Sequence, residues 1–502
     1  YRTGRAACGA DSFGRRPTFL PARRNADGSG VFVGSQRVVQ GDYPGRAVSC
    51  GHRYVVCRRT VFLLDCIVQA VSFFGRSFVA TGSSETVFFI LQREPMKPIC
   101  RILTAALFSL AVQGVCAEMK TLTDVRGREV RVDVPAKRVV LGFYYPDYIA
   151  VSGVDKFNNV VGISREFWEK FNPGSWSLYR AKIPSLQNIG DIGNVNAGTF
   201  SFEKTLAMKP DVVVLADWQY DTLKEEMPRF EKAGIPVVVV DFNAQTVERH
   251  TASAKLFGEI AGTPERAGQV AAEYAQGMAD IQKRVAEAGK PKPKIYIEFG
   301  DKGPAEYSFT FGKNMWGAIA DTVGGDNIAA AFIKDWGAIN PEQFLAAKPD
   351  VVIISGTESG LKQPTAMAMG IGIEAAEAQK RLQGFIRRAG WAEIPAVRNG
   401  RVFGIYHTAS RSLSDLASAQ FIAKALYPEA FADVNPEETY REFHRKYLPV
   451  EPQGTFFIRL GCDGLEDCNK QAAADTVAAS AETVAEPSLW QRIKNWFAAL
   501  FA

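Results

Sequence analysis

Histidine is scarce in this chain of 502 residues: there are four, and only His250, His407 and His444 follow Met96. That scarcity argues against a multi-histidine catalytic metal centre and against a receptor for bare zinc or manganese, whose donors are converging imidazoles and carboxylates. Cysteine is absent between Ala117 and Gly461, so a two-lobed α/β metal-cluster enzyme subunit would lack its bridging thiolates. Catalytic signatures are missing as well. There is no His-Glu-x-x-His, no phosphate-cradling Walker loop and no Gly-x-Ser-x-Gly elbow, and Gly370-Ile-Gly-Ile-Glu-Ala375 only approximates a dinucleotide fingerprint without a strand before it. The expectation is a protein that is not an enzyme and carries no intrinsic cofactor.

Charge is distributed unevenly. Residues 1–95 hold thirteen Arg, no Lys, no Met and six acids, a net charge near +7 that leaves the remainder near −2 of the total +5. The body of the chain is therefore not basic, which removes the Lys and Arg surface that nucleic-acid binding rests on. Residues 1–95 also settle into no sustained hydrophobic period, and we read them as an upstream extension; a small extra domain carrying Cys8, Cys50, Cys57 and Cys66 is the competing reading. From Met96 the pattern is that of a secretory signal peptide, 96–117: Met96-Lys-Pro-Ile-Cys-Arg101 is a cationic start. Ile102 to Val115 is an apolar core too short to span a bilayer comfortably, and Val115-Cys116-Ala117 is a small-residue cleavage site. Export would place the mature chain in the periplasm, where Cys462 and Cys468 can close a small disulfide loop. The tail, 461–502, ends in Trp490, Ile493, Trp496, Phe497 and Leu500 at helical spacing, an amphipathic helix that could lie on a membrane surface, on a partner or on its own lobe.

An internal repeat is the most informative feature. Glu203-Lys-Thr-Leu-Ala-Met-Lys-Pro-Asp-Val-Val-Val-Leu215 and Glu342-Gln-Phe-Leu-Ala-Ala-Lys-Pro-Asp-Val-Val-Ile-Ile354 agree in unbroken register. Each copy reads as a short helix stopped at proline, then a β-branched strand buried on both faces of a parallel sheet. Val139–Phe143, Val160–Ser164 and Val237–Asp241 complete a first α/β lobe, 118–262; Ile295–Phe299 and Val402–Tyr406 belong to a second, 291–460. Between them, 263–290, Thr263-Pro264 opens an apolar stripe at helical spacing from Ala267 to Val285 that stops at Gly289. The expected fold is two Rossmann-like lobes with parallel-rich sheets, joined by one long α-helix, with a ligand cleft between them. A single rod between lobes implies small tilts rather than wide opening.

From about Thr121 to about Leu460 the chain resembles the helical-backbone class of periplasmic binding proteins that serve ABC importers of ferric siderophores, haem and cobalamin. The repeat carries the resemblance, with Ala233-Gly-Ile-Pro-Val237, Phe299-Gly300, Gly324-Gly-Asp-Asn-Ile328 and Ala409-Ser-Arg411 as weaker landmarks. The resemblance implies a monomer that delivers a metal chelate to an inner-membrane permease, with Glu203 and Glu342 docking on permease arginines. The plain alternative is that both are first-turn helix acids favoured by the dipole.

In such sheets a ligand lies beyond the carboxyl ends of the strands. The residues there are Tyr144 and Tyr145, Arg165, Trp218, and Tyr406, His407 and Arg411, with the loop Gly190–Asn194 leading toward the cleft. Tyrosine oxygen suits ferric iron, so Tyr144 and His407 are the candidate contacts to a chelated metal; Trp218 offers a stacking face, and Arg165 and Arg411 can neutralise carboxylate or catecholate. Each has a structural alternative, a half-buried packing tyrosine or a hydrogen-bonded histidine. The expected ligand is a ferric siderophore, with iron as part of it; haem, cobalamin and oxyanions such as molybdate are the alternatives.

Overall fold

The structure, a computed structural model, describes residues 117–461. The expected upstream extension, signal peptide, Cys462–Cys468 disulfide and tail helix lie outside these residues but for Ala117 and Gly461 at the boundaries. Two sheets organise the rest. The first contains β3 (Val139–Leu141), β4 (Val160–Ile163), β5 (Gly190–Asp191), β6 (Val212–Ala216) and β7 (Val237–Val240) in the order β5-β4-β3-β6-β7, every pairing parallel. At the centre of the second, β8 (Lys294–Phe299), β12 (Val351–Gly356) and β14 (Val402–Tyr406) run parallel. Antiparallel strands β9 (Phe309–Phe311) and β16 (Phe457–Arg459) flank them, and β11 (Trp336–Ala338) lies outermost beside β9. The runs of Val and Ile in β6 and β12 are fully buried, as expected of strands covered on both faces.

The repeat has a visible structural cause. Its helices, Phe202–Ala207 and Pro341–Ala347, end just before Lys209 and Lys348, which both adopt left-handed backbone, φ 47° and 51°. The aspartate after each proline then ties two strands together. The Asp211 amide donates to the Arg138 carbonyl and its carboxylate accepts the Arg138 amide at 2.9 Å; Asp350 makes the same pair of bonds with Lys294, the carboxylate bond at 2.8 Å. Lys-Pro-Asp is thus a clamp that sets the register of each repeat strand against the strand that opens its lobe.

Helix Pro264–Ala288 runs about 37 Å at 1.5 Å per residue. Ala267, Val270 and Ala271 on its apolar stripe join the core under the first sheet, while Tyr274, Met278 and Ile281 join the core of the second. One amphipathic face therefore serves two cores. The C-terminal segment also returns to the first lobe, since Leu413, Tyr447 and Val450 are buried in the first core. Two features depart from the sequence reading. Gly190-Asp191, expected as loop, forms the short edge strand β5 because Gly162 and Gly190 pair with no side chains, and Met208 fills the space a Cβ would occupy on either. The antiparallel hairpin of β1 (Glu118–Thr123) and β2 (Glu129–Val134) was not anticipated. Its turn is held by Asp124, whose carboxylate accepts amides of Arg126, Arg128 and Val239.

Candidate functional site

The carboxyl ends of β3 and β14 face each other across a crevice walled by Phe143, Tyr144, Phe167 and Trp168 on one lobe and Tyr406, Thr408 and Arg411 on the other. The first-lobe wall is an aromatic cluster: the Phe143 ring lies 4.9 Å from Phe167, 5.0 Å from Tyr144 and 5.5 Å from Trp168. Phe167 and Trp168 come from helix Arg165–Phe171, which starts immediately after β4 and therefore delivers its first turn to the strand ends. Contacts across the crevice are polar. Asp147 accepts the Leu413 amide at 2.7 Å, Thr408 donates to Asn172, and buried His250 meets buried Asp415 at 2.9 Å.

Arg411 is the distinctive group. Its guanidinium lies 5.1 Å from the Phe143 ring centre and 5.9 Å from that of Phe167, and it makes no hydrogen bond or ion pair among the described residues. Its backbone is left-handed, φ 51°, as is that of Tyr144 at φ 57°, a strained conformation for residues with a Cβ. Burial lowers the Arg411 pKa, with Tyr144 opposing, and raises that of Tyr144. Burial lifts Asp147 to about 7 against the pull of the Leu413 amide. His407 is held well below its ordinary value, by burial first and by Arg411 second. Its Nδ1 accepts the Trp316 indole N–H at 3.1 Å and lies 2.9 Å from the Ser355 hydroxyl, so the neutral ring carries its hydrogen on Nε2.

Of the seven residues read from the sequence, the crevice brings together Tyr144, Tyr406 and Arg411. Tyr144 donates its hydroxyl to Asn243 at 2.8 Å and Tyr406 donates its own to Glu358 at 2.7 Å. Tyr145 is fully buried against Trp168 and Tyr179; Trp218 stands behind Phe143 at 5.7 Å; Arg165 pairs with Glu169 on its own helix at 3.2 Å; His407 stacks on Phe299 at 4.2 Å. With Nδ1 engaged, His407 could meet a metal only through Nε2. No group of three or more His, Cys, Asp or Glu side chains converges among the described residues. Phe167, Trp168 and Glu358 were not read from the sequence. A signal existed for Glu358: the repeat register that sets Glu342 opposite Glu203 sets Glu358 opposite Gln219, one residue beyond Trp218.

Glu203 is exposed and pairs with Arg229 at 2.6 Å; Glu342 is exposed and its carboxylate has no partner among the described residues. A second, apolar cavity of about 170 Å³ lies beside helix Pro264–Ala288; of the charged residues lining it, Glu273 and Lys446 pair with each other at 2.5 Å, and Glu442 is the third. No helix among the described residues is long and apolar enough to cross a membrane.

Two lobes facing across strand ends, with a helix between them, define a solute-binding architecture, and the comparisons agree. Residues 174–408 match the family described as periplasmic binding protein, and the chain belongs to that family. It is 32% identical to a TroA-like periplasmic binding protein, FepB, from Veillonella parvula, with a TM-score of 0.64 over 68% of this chain and 100% of that one. It is 24% identical over 259 residues to an ABC transporter substrate-binding lipoprotein of Bacillus subtilis, YvrC, covering 51% of this chain and 72% of the relative. It is 28% identical over 191 residues to a vitamin B12-binding protein of Salmonella typhi, covering 38% and 67%.

Proposed function

We propose that the protein is the periplasmic component of an ABC importer and captures an anionic metal chelate, a ferric siderophore being the best fit, between its lobes. Arg411 carries this reading: a half-buried guanidinium with no counter-charge among the described residues leaves a place that an anionic ligand can fill, and its planar fork matches carboxylate or catecholate oxygens. The aromatic wall around Phe143 supports it, because it offers faces to the flat rings of a chelator. The scattered placement of the described metal-ligating side chains favours a metal that arrives already wrapped. The crevice holds about 50 Å³, well under the ~300–1,000 Å³ of sites for ligands of this size, so the lobes part to admit it. The loaded protein then docks on its permease through Glu203 and Glu342 and leaves ATP hydrolysis to the transporter.

The test is titration of tryptophan fluorescence with a ferric tris-catecholate, a ferric hydroxamate, haem, cyanocobalamin and molybdate. Trp168 on the wall is the reporter. An anionic ferric chelate is expected to quench most strongly, and Arg411→Gln to weaken it at least about tenfold, the loss of one charge-assisted contact. Tightest binding of cyanocobalamin, unchanged in Arg411→Gln, would overturn the reading.

A further inference from the structure

Glu358 follows β12 at a place where the second lobe presses on the first. It is 5% exposed, and its Oε1 accepts the Tyr406 hydroxyl at 2.7 Å and the Ile371 amide at 3.3 Å, while Oε2 is buried without a hydrogen bond. The surface that seals it belongs to the other lobe. Helix Pro173–Lys182 points its first turn at the carboxyl: a Cβ placed on Gly174 would come within 3.3 Å of Glu358 Cγ and 2.8 Å of the Ile371 carbonyl. The titratable groups facing Glu358 are phenols, namely Tyr145 on helix Tyr145–Ser152, Tyr406 on β14 and Tyr440 on helix Pro436–Tyr447, with the Ser175 amide adding a weak pull. No cation among the described residues answers it. Nearby Lys362 donates to the Lys170 carbonyl, and Arg381 is committed to Glu377 and to main-chain carbonyls. An ionised carboxyl sealed in this way loses its water and gains no full counter-charge, only the partial charge of the helix's first-turn amides, whereas the neutral acid loses less. In the first copy of the repeat the matching position is Gln219, a neutral residue of the same shape whose amide bonds the Gly142 carbonyl and the Ala216 amide.

We propose that Glu358 is a proton-operated latch: closing the lobes takes up a proton on its carboxyl, and opening the crevice to water releases it. The latch lies in the contact between lobes whatever the crevice holds, so it is tested on the protein without any chelate. Burial lifts Glu358 to about 7, with Tyr406 and backbone amides pulling the other way. Opening returns it to the ordinary carboxylate range. The closed form therefore binds more protons between roughly pH 4.5 and 7, and closure weakens as pH rises through that window.

Hydrogen–deuterium exchange of the full chain, corrected for intrinsic rates, reads this at the amides of residues 174–179 and 370–373. Between about pH 5.5 and about pH 8.5 the closed-to-open ratio is expected to fall roughly thirtyfold in the wild type. Glu358→Gln, which mimics the protonated acid, is expected to lose that fall and to keep only what Asp147 contributes in both proteins. Asp147 and Asp415, the other buried acids where the lobes meet, are present in both proteins, so the difference between them isolates Glu358. Tyr406→Phe removes a hydrogen bond that favours the ionised form and is expected to move the midpoint to higher pH, which a purely structural role would not do. Equal protection of the wild type at both pH values, an undiminished pH effect in Glu358→Gln, or an unmoved midpoint in Tyr406→Phe overturns the latch.

Discussion

Arg411 and Tyr144 both hold backbone that a glycine would adopt more cheaply, and both wall the crevice. Strain kept at a binding surface has a consequence that can be measured: Arg411→Gly should raise folding stability by about 0.5–1 kcal/mol in a denaturant titration while weakening chelate binding. A loss of stability would mean that the arginine is a packing residue. The buried titratable groups divide by sign. Burial pulls His444 down to about 4, and its Nδ1–H donates to the Tyr440 carbonyl at 2.8 Å. The unfolded chain therefore takes a proton that the folded one refuses; stability is complete above about pH 6.5 and falls as pH drops toward 4. Glu358 works in the opposite sense, so Glu358→Gln should raise the melting temperature near pH 8 and change it little near pH 4.5. Thermal melts at the two pH values check this. Tyr144, Tyr406 and Arg411 were legible because they stand directly after strands. Tyr145 was not separable from Tyr144 by that rule: one further step into the helix turns it inward against Trp168, and sequence position alone does not show which face a first-turn side chain takes.

At the scale of elements, helix Val247–Ala261 crosses helix Pro264–Ala288 at Gly258, where a Cβ would collide with that of Ala267 and crowd the Thr263 carbonyl at 3.2 Å. Neither obstacle is a flexible side chain. Gly258→Ala should therefore destabilise by about 1–3 kcal/mol despite alanine's better helix propensity, read as a lower denaturation midpoint with unchanged slope. The repeat strands, the long helix and its end at Gly289 were plain in the sequence because burial on two faces or along one stripe leaves a period. Strands β1, β2, β5 and β13 (Gly370–Ile371) left little trace. The first two form a hairpin held by Asp124, β5 is an edge piece fixed by the Gly162–Gly190 pair, and β13 pairs only Gly370 with Thr455 and Ile371 with Gly454; local hydrophobic pattern does not encode such pairings.

For the whole molecule, the link between lobes is broader than the one rod read from the sequence. Arg266 on the long helix donates to the Ala150 carbonyl at 2.8 Å and the Tyr447 carbonyl at 3.0 Å, so the returning C-terminal segment is pinned at the same hinge. This arrangement fits small-amplitude opening, with the proton latch and Asp147 on the crevice side. The two proposed docking acids differ: Glu203 must leave Arg229 to meet a permease arginine, and Glu342 need not. Charge reversal at both, Glu203→Lys with Glu342→Lys, should abolish uptake in cells while chelate affinity of the purified protein is unchanged; lost affinity would place those acids in ligand binding instead. The most direct measurement is an anomalous difference map at the iron edge from crystals grown with a ferric tris-catecholate. A single iron peak is expected between Phe143, Trp168 and Arg411, with an anionic oxygen of the chelate on the guanidinium. A peak outside the crevice, or one inside it with Arg411 turned away, would contradict it.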